Sequence, residues 1–442
     1  MHSISRQSRS AAICWLICAA LLLPGCIQRA ERPAAPAPSI IADPAQIAGA
    51  QPAEASAAPP ATAEADPRWA HPVAGWVTTG VGAVELGALA PTRAARLLAL
   101  VGLGMDLALA AAEHARSSGA EVSDHAALAG AASGILAALQ PTLLSESMLQ
   151  RDAEEAAWAG YWQGHDTPAG VARGQAIGRA AAAAVLKYAA SDGAAQAPRA
   201  EMNPRDAHGV PIPAEPGVWV PTPRMLQPGS DPHWGEIRPI VLPSGAAARV
   251  PPPPAWDSAE FERVRESFHA TQQQLTEAER AIAWKWDHRQ GTETPVGAWH
   301  LIARDLVLRE QIGLRASARL FAVLGAAIHD SVIACWESKY VYRVARPIQW
   351  MRETVDAHWL PPLVDTPNHP SYPSGHSSIS AAAATVLAFY FPHHADELDQ
   401  LAHEASQSRV LGGIHWPLDT EAGLVQGRQV AEIVLAALAE EH

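Results

Sequence analysis

The sequence predicts an all-α fold, and three observations predict it. Long stretches rich in alanine and leucine begin at helix-start signals: Ser123-Asp124, Pro141-Thr142 and Thr167-Pro168 each set a capping side chain or a first-turn proline ahead of an apolar run. Leu320, Val323, Leu324, Ala327 and Ile328 repeat at the i, i+3, i+4, i+7, i+8 spacing of a half-buried helix. Nowhere does an alternation of period two run long enough to build a sheet.

Taken in order, residues 1–26 read as a bacterial export signal. Arg6 and Arg9 precede an apolar run from Ala11 to Leu23, and Leu23-Pro24-Gly25-Cys26 resembles a lipobox, so the expected mature protein is exported to the periplasm or cell envelope and lipid-anchored at Cys26. The run is short for a membrane span. Residues 27–66 are mostly Ala, Pro, Ser and Gln and are expected to form a disordered linker. Trp69 and Trp76 signal the start of an N-terminal helical region, 67–192, with helices expected near 91–116, 123–139, 142–160 and 168–190. Its small residues suit closely approaching helices, and it holds no cluster of His, Cys and carboxylate at ligand spacing.

Residues 193–256 break the pattern with many prolines, ending in Pro251 to Pro254, and with Trp219 and Trp234; this is an ordered, irregular connection. Helices resume at Asp257. Thr276 to Glu279 has capping-box spacing, and 257–442 is the region expected to carry the chemistry.

Composition bounds the partners. The chain of 442 residues has 32 basic against 45 acidic side chains, a net charge of -13, with no basic run, which argues against a nucleic-acid or anionic-membrane surface. Any anion must be gripped locally. Only Lys187, Lys285 and Lys339 are lysines, so arginine is the ordinary cation. Of the four cysteines, Cys14, Cys18 and Cys26 fall in the leader, and Cys335 alone remains for the folded body.

Three segments of the last third converge on one chemistry. Lys339 and Arg346 lie seven apart, which on a continuous helix returns to nearly the same face, and Pro347 turns the chain just after the arginine. Pro373-Ser374-Gly375-His376 opens a Ser/Ala-rich helix. Its free N–H groups and positive dipole end form either a simple serine cap or an oxyanion site, with His376 beside it as acid or base. Arg409 and His415 are six apart, and Gly412-Gly413 lets the chain turn and bring them together. Asp419, four residues after His415, can fix the imidazole tautomer, making His415 a nucleophile or a ligand. His329, His358 and the pair His393-His394 show no partner spacing that suggests a metal.

The order Lys-x6-Arg-Pro, Pro-Ser-Gly-His, Ser-Arg-x5-His-x3-Asp resembles the signature of the vanadium-dependent haloperoxidase and type 2 phosphatidic acid phosphatase (PAP2) superfamily, and the Trp-rich approach resembles its bacterial haloperoxidase branch. The resemblance implies a helical bundle of that type with an additional N-terminal helical layer. It implies that Lys339, Arg346, Ser374, Gly375 and Arg409 hold the oxygens of vanadate or phosphate, and that His376 is the acid-base residue. His415 would ligate vanadium as the metal ligand or become a phosphohistidine, with Asp419 orienting it.

Two positions lean toward the haloperoxidase. Trp336 matches a tryptophan at the halide site of the fungal chloroperoxidase, and His369 falls where chloroperoxidases carry Phe and algal bromoperoxidases carry a second His. The expected cofactor is therefore vanadate, and the expected substrates are hydrogen peroxide and a halide, bromide rather than chloride. Only 35 residues separate Ser374 from Arg409, so the longer insertion of the fungal enzyme is absent. The alternatives are a phosphomonoesterase acting on a small phosphate ester without vanadate, and a non-catalytic lipoprotein with a vestigial oxyanion pocket.

Overall fold

The computed structural model describes residues 41–52, 71–140, 166–195, 197, 215–224, 226–361 and 365–438. The export signal, most of the expected linker and the helix expected at 142–160 lie outside them. Among the described residues there are thirteen α-helices and no strand.

The first is a difference from expectation. Within the stretch expected to be a disordered linker, Pro44–Ala48 forms a short helix, α1, capped by Asp43 and opened by Pro44. Ile47 and Ala48 are buried in the main core, an apolar pair in a run otherwise too poor in large side chains to fold. A second difference is α2, Pro72–Leu86, which begins at His71 and was announced only by Trp76; that tryptophan is almost fully buried. The other N-terminal helices fall where their caps put them: α3 Pro91–Ser117, α4 Asp124–Leu139 with Ser123 as cap, and α5 Pro168–Ala189 with Thr167 as cap.

The described residues of the connection that follows are irregular but firmly held. Asp330, on a later helix, accepts hydrogen bonds from the N–H groups of Ile240 (2.8 Å), Val241 (2.8 Å) and Leu242 (2.9 Å). Trp219 and Trp234 are buried, and a bridge between Val218 and Val344 ties the connection to the region of the site.

The C-terminal part contains α6 Ala259–Gln273, α7 Glu277–Lys285, α8 Thr294–Arg309, α9 Leu314–Tyr342, α10 Pro347–Thr354, α11 Gly375–Tyr390, α12 Ala395–Leu411 and α13 Pro417–Leu438. The expected capping box at Thr276 and Glu279 forms. Helix α9 is the axis, packing against α3 on one side and α11 and α13 on the other. Both α3 and α9 are long and apolar enough to cross a membrane, yet 89% and 100% of their most apolar windows are buried by neighbouring helices. Asp106, the charge that interrupts α3, pairs with Arg315 and with Arg319 (3.0 Å) on α9.

Close approach between helices is set by glycines. A Cβ on Gly102 of α3 would stand 2.6 Å from the Phe321 carbonyl oxygen of α9, and one on Gly427 of α13 would stand 2.2 Å from the Ser378 oxygen of α11. The second contact matters for the site, because it seats the middle of α13 against the first turn of α11.

Candidate active site

The expected continuity between Lys339 and Arg346 does not hold. Helix α9 ends at Tyr342, where Arg343 takes a left-handed conformation (φ 51°) and gives its N–H to the Lys339 carbonyl at 2.8 Å. Arg346 instead caps the N-terminus of α10, its own N–H donating to Gln349 Oε1 at 3.1 Å. The two cations still converge, because the chain doubles back within three residues and the 369–373 loop lies across both.

Lys339 Nζ donates to the carbonyls of Pro370 (2.9 Å), Ser371 (2.8 Å) and Pro373. All three ammonium protons are thereby committed, so Lys339 stands behind the cavity and braces the loop leading into α11. Arg346 is likewise fully buried. Its Nε donates to the His369 carbonyl (2.9 Å), Nη2 to His369 Nδ1 (3.0 Å), and Nη1 to the Ile414 carbonyl (2.6 Å) and His415 Nε2 (3.0 Å).

Those last contacts define the tautomer of His415. Its Nε2 accepts from a guanidinium that is always charged, so the ring proton is on Nδ1, where it donates to Asp419 Oδ2 at 2.9 Å. The i, i+4 arrangement forms as expected: Gly413 turns the chain at φ 76°, and Asp419 sits in the first turn of α13. Asp419 Oδ2 also accepts from Ser371 Oγ and from the Trp416 N–H (2.9 Å), while its carbonyl accepts from the Ser374 N–H (2.8 Å). Behind this pair, Trp416 packs edge-on against Phe261 and Phe268, and its indole N–H donates to the Ala345 carbonyl at 2.8 Å.

Ser374 caps α11 through its side chain, and Gly375 follows against Trp336. His376, on the first turn, has an unpartnered Nε2; a hydrogen bond to the Trp286 carbonyl therefore belongs to Nδ1. Arg409 ends α12, with Nε donating to Ser408 Oγ (2.9 Å) and Nη2 to the Ala283 carbonyl (3.2 Å).

These elements enclose a cavity of about 460 Å³ whose wall includes Trp336, His369, Gly375, His376, Arg409 and His415. Trp336 and His369 are neighbours, ring centroids 5.0 Å apart. Asp287 and His288 form part of the same wall and were missed from sequence. They belong to no recurring motif, and their only signal was a charged triplet after Trp286.

Burial has a consistent electrostatic effect here. It pulls the Lys339 ammonium down to about 7 and the Arg346 and Arg409 guanidinia down to about 10, and it pushes the Asp419 carboxyl up to about 6. His369, His376 and His415 are held well below the ordinary histidine value, first by burial and then by the nearby cations. Two buried guanidinia, with Lys339 behind them, thus stand among neutral imidazoles and few carboxylates, an environment that favours a bound anion.

The fold and the geometry define a class: an all-α protein with a cavity set beside buried cations and an oriented histidine. Residues 319–398 and 392–441 match the family described as VCPO second helical-bundle domain. The vanadium chloroperoxidase of Curvularia inaequalis is 23% identical over 203 residues, 37% of this chain and 33% of that protein. A non-specific acid phosphatase of Salmonella typhi is 46% identical over 57 residues, 13% of this chain and 23% of that protein. The chain thus spans a third or less of the length of these relatives. Among solved structures, a bacterial vanadium-dependent iodoperoxidase superposes with a TM-score of 0.72 at 24% identity, covering 84% of this chain and 98% of that one. A bacterial vanadium-dependent chloroperoxidase superposes with a TM-score of 0.58 at 16% identity, covering 85% and 94%. The C-terminal part of the chain, 319–441, is thus similar to that family, and the fold of the described residues is haloperoxidase-like.

Proposed function

We propose that the protein is a vanadate-dependent haloperoxidase that oxidises halide with hydrogen peroxide to hypohalous acid, bromide in preference to chloride. The observation that carries this reading is the His415 tautomer: Asp419 keeps the proton on Nδ1, so Nε2 carries a lone pair toward the cavity, which Arg346 Nη1 occupies at 3.0 Å and would yield to a bound oxyanion. The donor set fits a small bound oxyanion. It combines one neutral nitrogen, buried guanidinia, and the backbone N–H groups at the start of α11.

Bound vanadate would supply Lewis-acid activation of peroxide for oxygen transfer to halide. The chain's own residues do the rest. His415 Nε2 would hold the metal, Asp419 keeps that nitrogen unprotonated, and Arg346 and Arg409 would balance the oxyanion charge. His376 is neutral at neutral pH, so its unpartnered Nε2 can take a proton from hydrogen peroxide and return it to the departing water. Trp336 and His369 provide an apolar and polarisable wall where a large halide can sit.

The second reading, a phosphomonoesterase, draws on the acid phosphatase match and on the same lone pair. Nε2 could attack phosphorus, and His376, after taking up a second proton at Nε2 from solvent, would pass it to the leaving alcohol; the cavity has room for an organic leaving group. The test is one preparation assayed twice, with and without vanadate, for bromination of monochlorodimedone and for hydrolysis of p-nitrophenyl phosphate. The expected result is bromination that requires vanadate and is lost in His415→Ala. Phosphatase turnover with no oxidation of any halide would transfer the assignment to the second reading.

A further inference from the structure

Far from the cavity, three side chains from two distant segments meet. Glu310 ends α8, and His393 and His394 stand on the 3₁₀ turn Pro392–His394 between α11 and α12. Sequence spacing hid the group, since Glu310 is more than eighty residues from the histidines. His394 Nε2 lies 3.0 Å from Glu310 Oε1, and His393 Nε2 lies 3.4 Å from Glu310 Oε2. The candidate donor atoms all fall within 4.8 Å of one another. A tetrahedral zinc ion with bonds of about 2.0–2.1 Å sets its donors about 3.3 Å apart; the two imidazole–carboxylate distances bracket that value, each to a different Glu310 oxygen, and small side-chain rotations would bring the rest of the set to it.

The proton inventory of His394 is the second observation. Its Nδ1 lies 3.3 Å from Glu397 Oε2, so carboxylates face both nitrogens of one ring. A neutral imidazole has one proton and can serve only one of them. With Nδ1–H given to Glu397, Nε2 turns a lone pair toward Glu310, and either a second proton or a metal cation fills the place between them. Carboxylate, histidine and metal in that order is the usual outer-shell arrangement of a ligating histidine. Arg309 Nη2 lies 3.2 to 3.3 Å from both ring nitrogens and opposes either a second proton or a metal. Its side chain is 53% exposed and can swing into solvent.

We propose that Glu310, His393 and His394 bind a borderline divalent cation of the zinc class, with water completing the shell. Two imidazoles and one carboxylate select such an ion over calcium or magnesium. Its place in the fold gives it a task. Helices α8 and α11 both start at the cavity, with Pro295 and His376 on its wall, and each runs 16 residues, or about 24 Å, to the proposed site. An ion there fastens the far ends of the two helices whose near ends shape the pocket.

The test is calorimetric titration of the metal-stripped full chain with zinc chloride, repeated on His393→Ala and Glu310→Gln, with thermal unfolding in parallel. One saturable equivalent of micromolar affinity or better is expected, weakened about a hundredfold in each variant, and zinc should raise Tm only in the unsubstituted chain. Cobalt(II) in place of zinc should give the visible absorption of a four-coordinate site, lost in Glu310→Gln. Equal zinc affinity in the chain and in His393→Ala, or no saturable binding at all, overturns the proposal.

Discussion

The Asp419 carboxylate organises the site through one oxygen. Oδ2 accepts from His415 Nδ1, from the Trp416 N–H and from Ser371 Oγ, while Oδ1 has no partner. Replacing it with asparagine keeps the shape but lets an amide N–H face His415, which favours the proton on Nε2 and blocks the lone pair. Asp419→Asn should therefore remain folded, lose about a thousandfold or more in kcat, and bind vanadate more weakly, as steady-state kinetics and vanadate titration would report. Wild-type turnover in this variant would remove the tautomer from the account. The His415–Asp419 pair was legible in sequence because i, i+4 spacing across a helix start leaves few other geometries. The bonds of Lys339 to three carbonyls were not, since Pro370, Ser371 and Pro373 lie 31 to 34 residues away and reach it only through the tertiary path of the loop.

At the scale of elements, the contact of α13 with α11 decides where His415 and Asp419 stand relative to Ser374 and His376. Gly427→Ala would gain up to about 1 kcal/mol of helix propensity, but its Cβ would meet the Ser378 carbonyl oxygen at 2.2 Å, and overpacking of that kind costs about 1–3 kcal/mol. The backbone oxygen cannot move aside as a flexible side chain would, so net destabilisation is expected in chemical denaturation. Gly82→Ala in α2 is the control: nothing lies within 4 Å of its added Cβ, and it should be neutral or stabilising. Helices with strong caps, α4, α5 and α7, were readable from the sequence for the reason that caps act locally. The stop of α9 at Arg343 was not readable, because neither glycine nor proline marks it, and the left-handed turn is held by the Arg343 carbonyl accepting from the Trp219 N–H and the Ala345 N–H donating to the Gly217 carbonyl, each at 2.7 Å.

For the whole molecule, the sequence division into an N-terminal layer and a catalytic bundle conceals a shared core. Helix α9 contributes to both, and the buried cluster runs from Ile47 to Leu438. That core encloses titratable groups whose protonation couples stability to pH. Burial lowers His300 to about 4 and His329 to about 3 and holds His369, His376 and His415 well below 6.5. Between those values and 6.5 the unfolded chain binds protons that the native chain refuses, so these five groups stabilise the fold above about pH 6.5 and lose that contribution as pH falls. Asp330 and Asp419, pushed up to about 6 by burial, act oppositely, since between 3.8 and 6 the native state holds protons the unfolded state does not. Five groups outweigh two. The thermal unfolding midpoint of the full chain should therefore drop by several degrees when pH is lowered from 7 to 5, and a midpoint that instead rose on acidification would mean that the raised carboxylates, not the neutral histidines, control the balance.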